Sequence, residues 1–456
     1  MKKQRLIRLE HILFLPLLIV FAVFGCKKEE KSNSNVPGDQ NEFIITVNQD
    51  KLKGWFVINS ADGTQVIDYK SFDGISAINF GDELPLPITV SAIFKYESIY
   101  MGDTMVDYEV ITFHKIIPTS WLFSNDTYPQ FVDTNINITV TYPPGDYNSY
   151  KISYCAGSSS GSGTHFNSPP QDTINYQVHL YNAPENDKLS LFAAVFGDNV
   201  GLSGFSLNQD FNNLLANGYN LPLNYNLEKA TIWVNTNVRE LRIYGTFNDN
   251  NEQIEFWYSS TPTGLTANSF DVFYCNDNVF DGFRITTSSY NDEMNFEFEK
   301  YYSFQDGIPE NLSIPEIEVS GNPSANGIVR NVDVTGSPDF IASICEYSYN
   351  GNSKASNLYW INATHPEVDQ IKPTLFPQEI IDEMELQMGN LNANLLVAGE
   401  FDQIYSLSGY VDYIMGGKSV EKDLNSSYFY YRPFNQNKSS GQRAIEKFKR
   451  YHSNFQ

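Results

Sequence analysis

Cysteine is scarce in this chain: there are four in 456 residues, and one of them, Cys26, stands far from the other three. Cys155, Cys275 and Cys345 are left for the body, an odd number, so at most one disulfide forms there. No C-x-x-C or histidine-rich spacing marks a zinc or redox site, and three buried thiols are expected, since cysteine is among the most buried residue types. Cationic residues are also few, 30 Lys and Arg against 54 Asp and Glu, for a net charge of −24. A surface so acidic repels phosphates, which argues against nucleic acid as a partner. No glycine loop lies between a strand and a helix to cradle a phosphate or dinucleotide, and no cofactor is expected.

Long apolar runs are missing too, except one. Ile12–Phe24 follows a basic start (Lys2, Lys3, Arg5, Arg8) and precedes Gly25, the three-part pattern of an export signal. It is shorter than the roughly 20 residues a spanning helix needs, so it reads as a cleaved segment. Val23-Phe24-Gly25-Cys26 resembles the lipobox of bacterial lipoproteins, with Phe24 bulkier than the usual residue at its place. That resemblance implies cleavage before Cys26 and acylation of its thiol and new amine. Several acyl chains, at about 0.8 kcal/mol per buried methylene, would make the anchor stable. Lys27, Lys28, Glu29, Glu30 and Lys31 lead into a Ser/Asn/Pro/Gly stretch to about Asn41, which reads as a flexible tether. The charged run resembles the surface-export signal of some Gram-negative lipoproteins. It implies the outer membrane and the cell surface.

The body is rich in Tyr and Phe, 29 and 32 residues, and in Asn, Thr and Ser, a mixture that favours strands joined by turns. Ile136–Tyr142, Leu241–Phe247 and Asn295–Glu299 alternate apolar and polar residues with period two, the mark of strands with one buried face. Turn signals stand at Asp62-Gly63, Asp73-Gly74, Pro143-Pro144-Gly145 and Asp281-Gly282. Three similar apolar runs, at 88–94, 189–196 and 395–401, read as a recurring sandwich strand. The expectation is an all-β protein of tandem β-sandwich domains, immunoglobulin- or fibronectin III-like. They are placed at 42–118, 119–208, 226–305 and 306–432, with a connector at 209–225. A signal peptide (1–25) and tether (26–41) precede them, and a basic tail (433–456) follows that either frays or lies back on the body. Asp210–Ala216 is a short helical candidate, and Pro377–Met388 fits helix or strand.

Chemical motifs are weak. Gly157-Ser158-Ser159-Ser160-Gly161, with His165 close behind, spells a hydrolase nucleophile elbow, but no helix pattern follows and a Gly/Ser loop accounts for it better. His365, Glu367 and Asp369 would share one side of an extended chain where a metal could sit, yet three such residues are common in so acidic a protein. Asp277–Asp281 and Asn248–Asn250 read as solvated turns before they read as calcium loops. No metal site and no catalytic residue are therefore assigned, and carboxylate pairs cannot single out a glycosidase in so acidic a chain.

Strand parity marks one candidate ligand face. In Thr231–Asn235 the apolar set is Ile232 and Val234, which leaves Trp233 on the polar side. Tyr244 shares its side with Arg242, and Trp257 shares its side with Glu255. If these strands lie in one sheet, Trp233, Arg242, Tyr244, Glu255 and Trp257 form an outward platform for sugar rings; the plainer reading is a face covered by a neighbouring domain. In outline the chain resembles the glycan-binding lipoproteins of outer-membrane sugar uptake, by anchor and architecture alone. The expected function is a non-catalytic binding module for a glycan or protein ligand. The alternatives are a glycan or peptide hydrolase with accessory sandwiches, and a structural stalk or adhesin. The anchor has a direct test: a labelled fatty acid fed to cells is expected to mark the wild-type protein, and equal labelling of Cys26→Ala would refute it.

Overall fold

The computed structural model describes residues 43–415 and 426–434, apart from short stretches at 82–83, 101–102, 119, 125–130, 157–158, 166–172, 185–187, 199, 211–212, 215–216, 248–251, 262–264, 291–294 and 350–354, together with Ile445 and Phe448. The expected export signal, Cys26 and the tether lie outside the described residues. Among those described, no helix is long and apolar enough to cross a membrane.

The protein is all-β, with its sheets layered in a sandwich-like arrangement. The largest sheet has twelve strands: β1 (Lys53–Ser60), β2 (Val66–Asp73), β3 (Ile88–Tyr100), β4 (Asp103–Ile116), β5 (Glu240–Phe247), β6 (Glu252–Ser260), β7 (Gly282–Tyr290), β8 (Asn295–Ser303), β9 (Phe340–Ser348), β10 (Ala355–Thr364), β11 (Asn392–Phe401) and β12 (Ser426–Pro433). Their order is β6-β5-β7-β8-β12-β11-β9-β10-β4-β3-β1-β2, and every pair is antiparallel except β10 and β4. This sheet joins strands from three of the four expected segments edge to edge, so the limits near Pro118 and Asp306–Pro315 are not limits between sheets.

Alternation along each strand divides the apolar side chains between two cores. Toward one side point Val57, Ile93, Val110, Trp360, Ile341, Leu396, Tyr430, Phe298, Ile285 and Ile243. Strands Tyr225–Val238, Ala267–Cys275, Glu318–Ser324 and Ile328–Thr335 cover them, along with helix α1 (Gln378–Glu383), which buries Ile380. The Pro377–Met388 segment is thus helical at its start, with Pro377 at the N-cap. Toward the other side point Ile58, Ala92, Phe113, Ile361, Ile344, Val397 and Phe429. A three-stranded sheet (Ser76–Asn79, Ile44–Asn48, Trp121–Ser124) and helix α2 (Leu407–Met415) cover that second core. Helix α2 buries Leu407, Tyr410, Val411 and Ile414, the i, i+3, i+4, i+7 stripe of a helix with one apolar face.

A third core lies between the sheet Thr173–Pro184, Phe131–Thr141, Tyr219–Pro222 and one face of a seven-stranded sheet that contains Ser149–Ala156 and Lys188–Phe196. The three apolar runs at 88–94, 189–196 and 395–401 all fall within strands. Cys155, Cys275 and Cys345 are buried free thiols. Burial pushes the Cys275 thiol up to about 11 and the Cys345 thiol up to about 12, so neither is a ready nucleophile.

Burial also sets a pH dependence. His114 on β4 is almost fully enclosed, and desolvation pulls its imidazole from 6.5 down to about 4, with Lys372 and Lys115 adding to the effect. The folded-state value lies below the unfolded one, so the unfolded chain binds the extra proton between them. The neutral ring contributes stability above pH 6.5 that is lost as pH falls toward 4, about 3 kcal/mol in all. Melting temperature is expected to fall more steeply over that window in the wild type than in His114→Leu; parallel profiles would contradict this.

Candidate functional site

The face of the large sheet that carries the second core changes character along its length. From β12 to β1 it is apolar and covered. Over β5, β7 and β8 the same face is polar. Glu240, Ser288, Glu297 and Phe429 stand in one cross-strand row, and Arg242, Thr286, Glu299 and Ser427 in the next. Together with Tyr244, Tyr431 and Phe448 they line a recess of about 460 Å³. Carboxylates form its floor on β5 and β8, and aromatic rings form the wall on the β12 side. Phe448 packs against Phe429 and Tyr431 with ring centroids 5.7 and 6.3 Å away. At Ile445 and Phe448, both buried in the second core, the C-terminal segment lies back on the body.

Polar contacts hold the floor in place. Arg242 Nη2 lies 3.3 Å from Glu240 Oε2, its Nη1 lies 3.5 Å from Glu255 Oε2, and its guanidinium stacks over the Tyr258 ring at 4.7 Å. Arg284 pairs with Glu299 at 3.5 Å, and the Tyr431 hydroxyl donates to Glu297 at 3.2 Å. Burial and the Glu255 charge push the Tyr244 phenol up to about 12, so it stays protonated and can donate.

Behind this floor Glu255 makes a second, fully enclosed contact. Lys151, on strand Ser149–Ala156 of the neighbouring sheet, is 0% exposed and its ammonium meets Glu255 Oε1. Ser162 Oγ donates to that same oxygen at 2.6 Å. Burial draws the Lys151 ammonium below its ordinary value, and Glu255 opposes the shift.

Of the five residues expected on one platform, the structure brings three together. Arg242, Tyr244 and Glu255 share a side, with Arg242 and Tyr244 in the recess and Glu255 buried behind it. Trp257 departs because of a β-bulge: Ile243 pairs with Trp257 while the next residue, Tyr244, pairs with Glu255, so Phe256 is the extra residue. Phe256 and Trp257 consequently both enter the first core. The ring of Phe256 lies across Gly245, where a Cβ would stand 2.1 Å from its Cζ. Trp257 is 7% exposed, with the rings of Phe196 and Phe273 at 5.1 and 5.5 Å. Trp233 is 54% exposed, but its strand belongs to the seven-stranded sheet and lies outside the recess.

The remaining motifs separate as follows. Ser159 and Ser160 lie in strand Ser159–His165, paired with Ser149–Ala156, and the strand-to-helix turn of a nucleophile elbow is not formed there. Gly157 and Ser158 lie outside the described residues, as do Asn248–Asn250. His365 Nε2 rests 3.2 Å from the Lys115 carbonyl, and no group of three His, Cys, Asp or Glu side chains converges among the described residues. Asp277 caps its own turn, accepting the Val279 amide at 3.1 Å.

The bulge makes a prediction opposite to that of strand parity. Trp257→Ala is expected to destabilise the protein by about 3–5 kcal/mol, the range for an aromatic removed from a core. Denaturant titration checks this; an unchanged midpoint would place Trp257 at the surface after all.

No protein-family model matches the chain, and no curated protein sequence matches it. Among solved structures, it is similar to a crystal structure from Bacteroides eggerthii DSM 20697 described as a "putative cell adhesion protein". That similarity covers 55% of this chain and 100% of the other at 8% identity, with a TM-score of 0.14, so the site stands on its own geometry.

Proposed function

We propose that this protein is a non-catalytic binding module, carried on the outer membrane by lipid at Cys26 and displayed at the cell surface, and that the recess over β5, β7, β8 and β12 receives a glycan. The observation that carries the reading is the change of one sheet face from sealed apolar packing to an open hollow, with carboxylates on one side and aromatic rings on the other. A sugar ring presents hydroxyl donors along its edge and apolar C–H groups on its face. Glu240, Glu297 and Glu299 supply acceptors for the first. Tyr244 and Phe429 supply flat apolar surface for the second. A hollow of this size, in which polar side chains converge beside a wall of aromatic rings, has the character of a ligand site. Three carboxylates against one guanidinium in the lining, and the net charge of −24, favour uncharged glycans over anionic ones.

A glycan array probed with the purified body tests this. Neutral glycans are expected to bind, and Glu299→Gln, at a half-exposed position, is expected to weaken binding about tenfold, or about 1.4 kcal/mol, with an unchanged melting temperature. Absence of any glycan bound by the wild type, or full binding by Glu299→Gln together with Tyr244→Ala, would remove the recess as the site.

A further inference from the structure

The opposite face of the large sheet is not apolar throughout. Where β1, β3, β4, β10 and β9 run side by side, Asn59, Ser91, Thr112, His114, Asn362 and Ser343 are buried on it. Ser91 stands opposite Thr112, Thr112 opposite Asn362, and Asn362 opposite Ser343, one unbroken polar row across four strands. His114 lies two residues from Thr112, on the same side of β4. Asn59 lies two residues from Val57, the partner of Ser91.

The segment 371–376 lies over this row. Asn59 Nδ2 donates to the Leu375 carbonyl at 2.9 Å, Thr374 Oγ1 donates to the Gly63 carbonyl at 3.0 Å, and the Phe376 ring stacks on Trp360 at 4.6 Å. Within the row, Trp360 Nε1 donates to Thr112 Oγ1 at 2.9 Å, and the Ser91 and Thr112 hydroxyls are 2.8 Å apart. Five side-chain atoms, Asn59 Oδ1, His114 Nε2, Ser343 Oγ and both Oδ1 and Nδ2 of Asn362, make no hydrogen bond of good geometry among the described residues, although the His114 ring and the Asn362 amide lie close enough to interact.

We propose that this row is a binding site for ordered water, about two molecules given that each buried water makes roughly three hydrogen bonds, enclosed between the large sheet and the segment 371–376. Buried polar atoms in folded proteins are almost always satisfied by protein or by water, so so many in one place mark a ligand and not an accident. The donor set selects which ligand. Two carbonyl oxygens accept, one amide nitrogen donates, and a hydroxyl and a neutral imidazole can each do either. A metal ion would lack a carboxylate and would face an amide N–H₂. An anion would face carbonyl oxygens. Water, which donates and accepts and fits a confined space, matches every atom. The site is on the other face of the sheet from the recess and does not rest on the glycan reading.

Two measurements on the full chain decide it. Water–protein nuclear Overhauser peaks are expected at the Asn362 side-chain amide and the His114 ring, with residence times longer than nanoseconds, and a crystal structure should place oxygens within hydrogen-bond distance of both. A dry row in either would overturn the proposal. Asn362→Leu is expected to abolish the peaks and lower the melting temperature, and His114→Leu added to it is expected to cost less than His114→Leu alone. Strictly additive effects would mean that no shared water joins the two residues. Should Asn362→Leu fail to fold, the wild-type measurement still decides.

Discussion

Both faces of a twelve-stranded sheet have to be covered, and the position of every other element follows from how that is done. Period-two alternation sends apolar side chains to both sides of β1, β3, β4, β9, β10, β11 and β12, so these strands need a layer above and a layer below. Four strands and α1 supply one layer, while three short strands, α2, Ile445 and Phe448 supply the other. At β5, β7 and β8 the alternation changes: one side remains apolar, with Ile243, Ile285 and Phe298, and the other becomes Arg242, Thr286 and Glu299. That side needs no apolar cover, and Arg242 and Glu299 keep about two-fifths of their side-chain surface exposed, 41% and 42%. The recess begins where the second core ends, and Phe429 and Tyr431 belong to both.

Much of this was legible in the sequence. Strand parity placed Ile232, Val234, Leu241 and Ile243 inside and Arg242 and Tyr244 outside, as the structure does, because the pleat allows only two directions. It failed at Trp257 for a physical reason: one extra residue in β6 resets the count, and nothing in Gln253–Tyr258 distinguishes a bulge from regular alternation. At Trp233 parity held, since the ring is exposed, and only the shared sheet did not. Which strands share a sheet is decided by distant partners, as when β10 pairs with β4 some 250 residues away, and local pattern carries no such information. The same limit applies to the segment boundaries near Pro118 and Asp306, where turn residues mark the end of a strand but not the end of its sheet. Helix α2 carries a local signature of its own in the spacing Leu407, Tyr410, Val411, Ile414. The part played by Phe448 could not be read, because its basic neighbours dominate the composition of the tail.

The Lys151–Glu255 pair ties the recess to the rest of the molecule. An ammonium that is fully buried loses its hydration, and a single carboxylate repays that loss only when its geometry is good and its other lone pairs are used. Here they are: Oε1 takes Lys151 and Ser162, and Oε2 faces Arg242. An apolar pair of the same volume would hold the two sheets together at less electrostatic cost, so stability alone does not explain the arrangement. Glu255 sits at the position of β6 just before the bulge, with Phe256 and Trp257 committed to the first core, and its carboxylate joins the neighbouring sheet to the recess floor. Arg242 is held on three sides, by Glu240, Glu255 and Tyr258. A guanidinium so fixed has little capacity left to recruit an anion. The buried pair thereby helps to set the chemical character of the open site, through a residue that no ligand would touch.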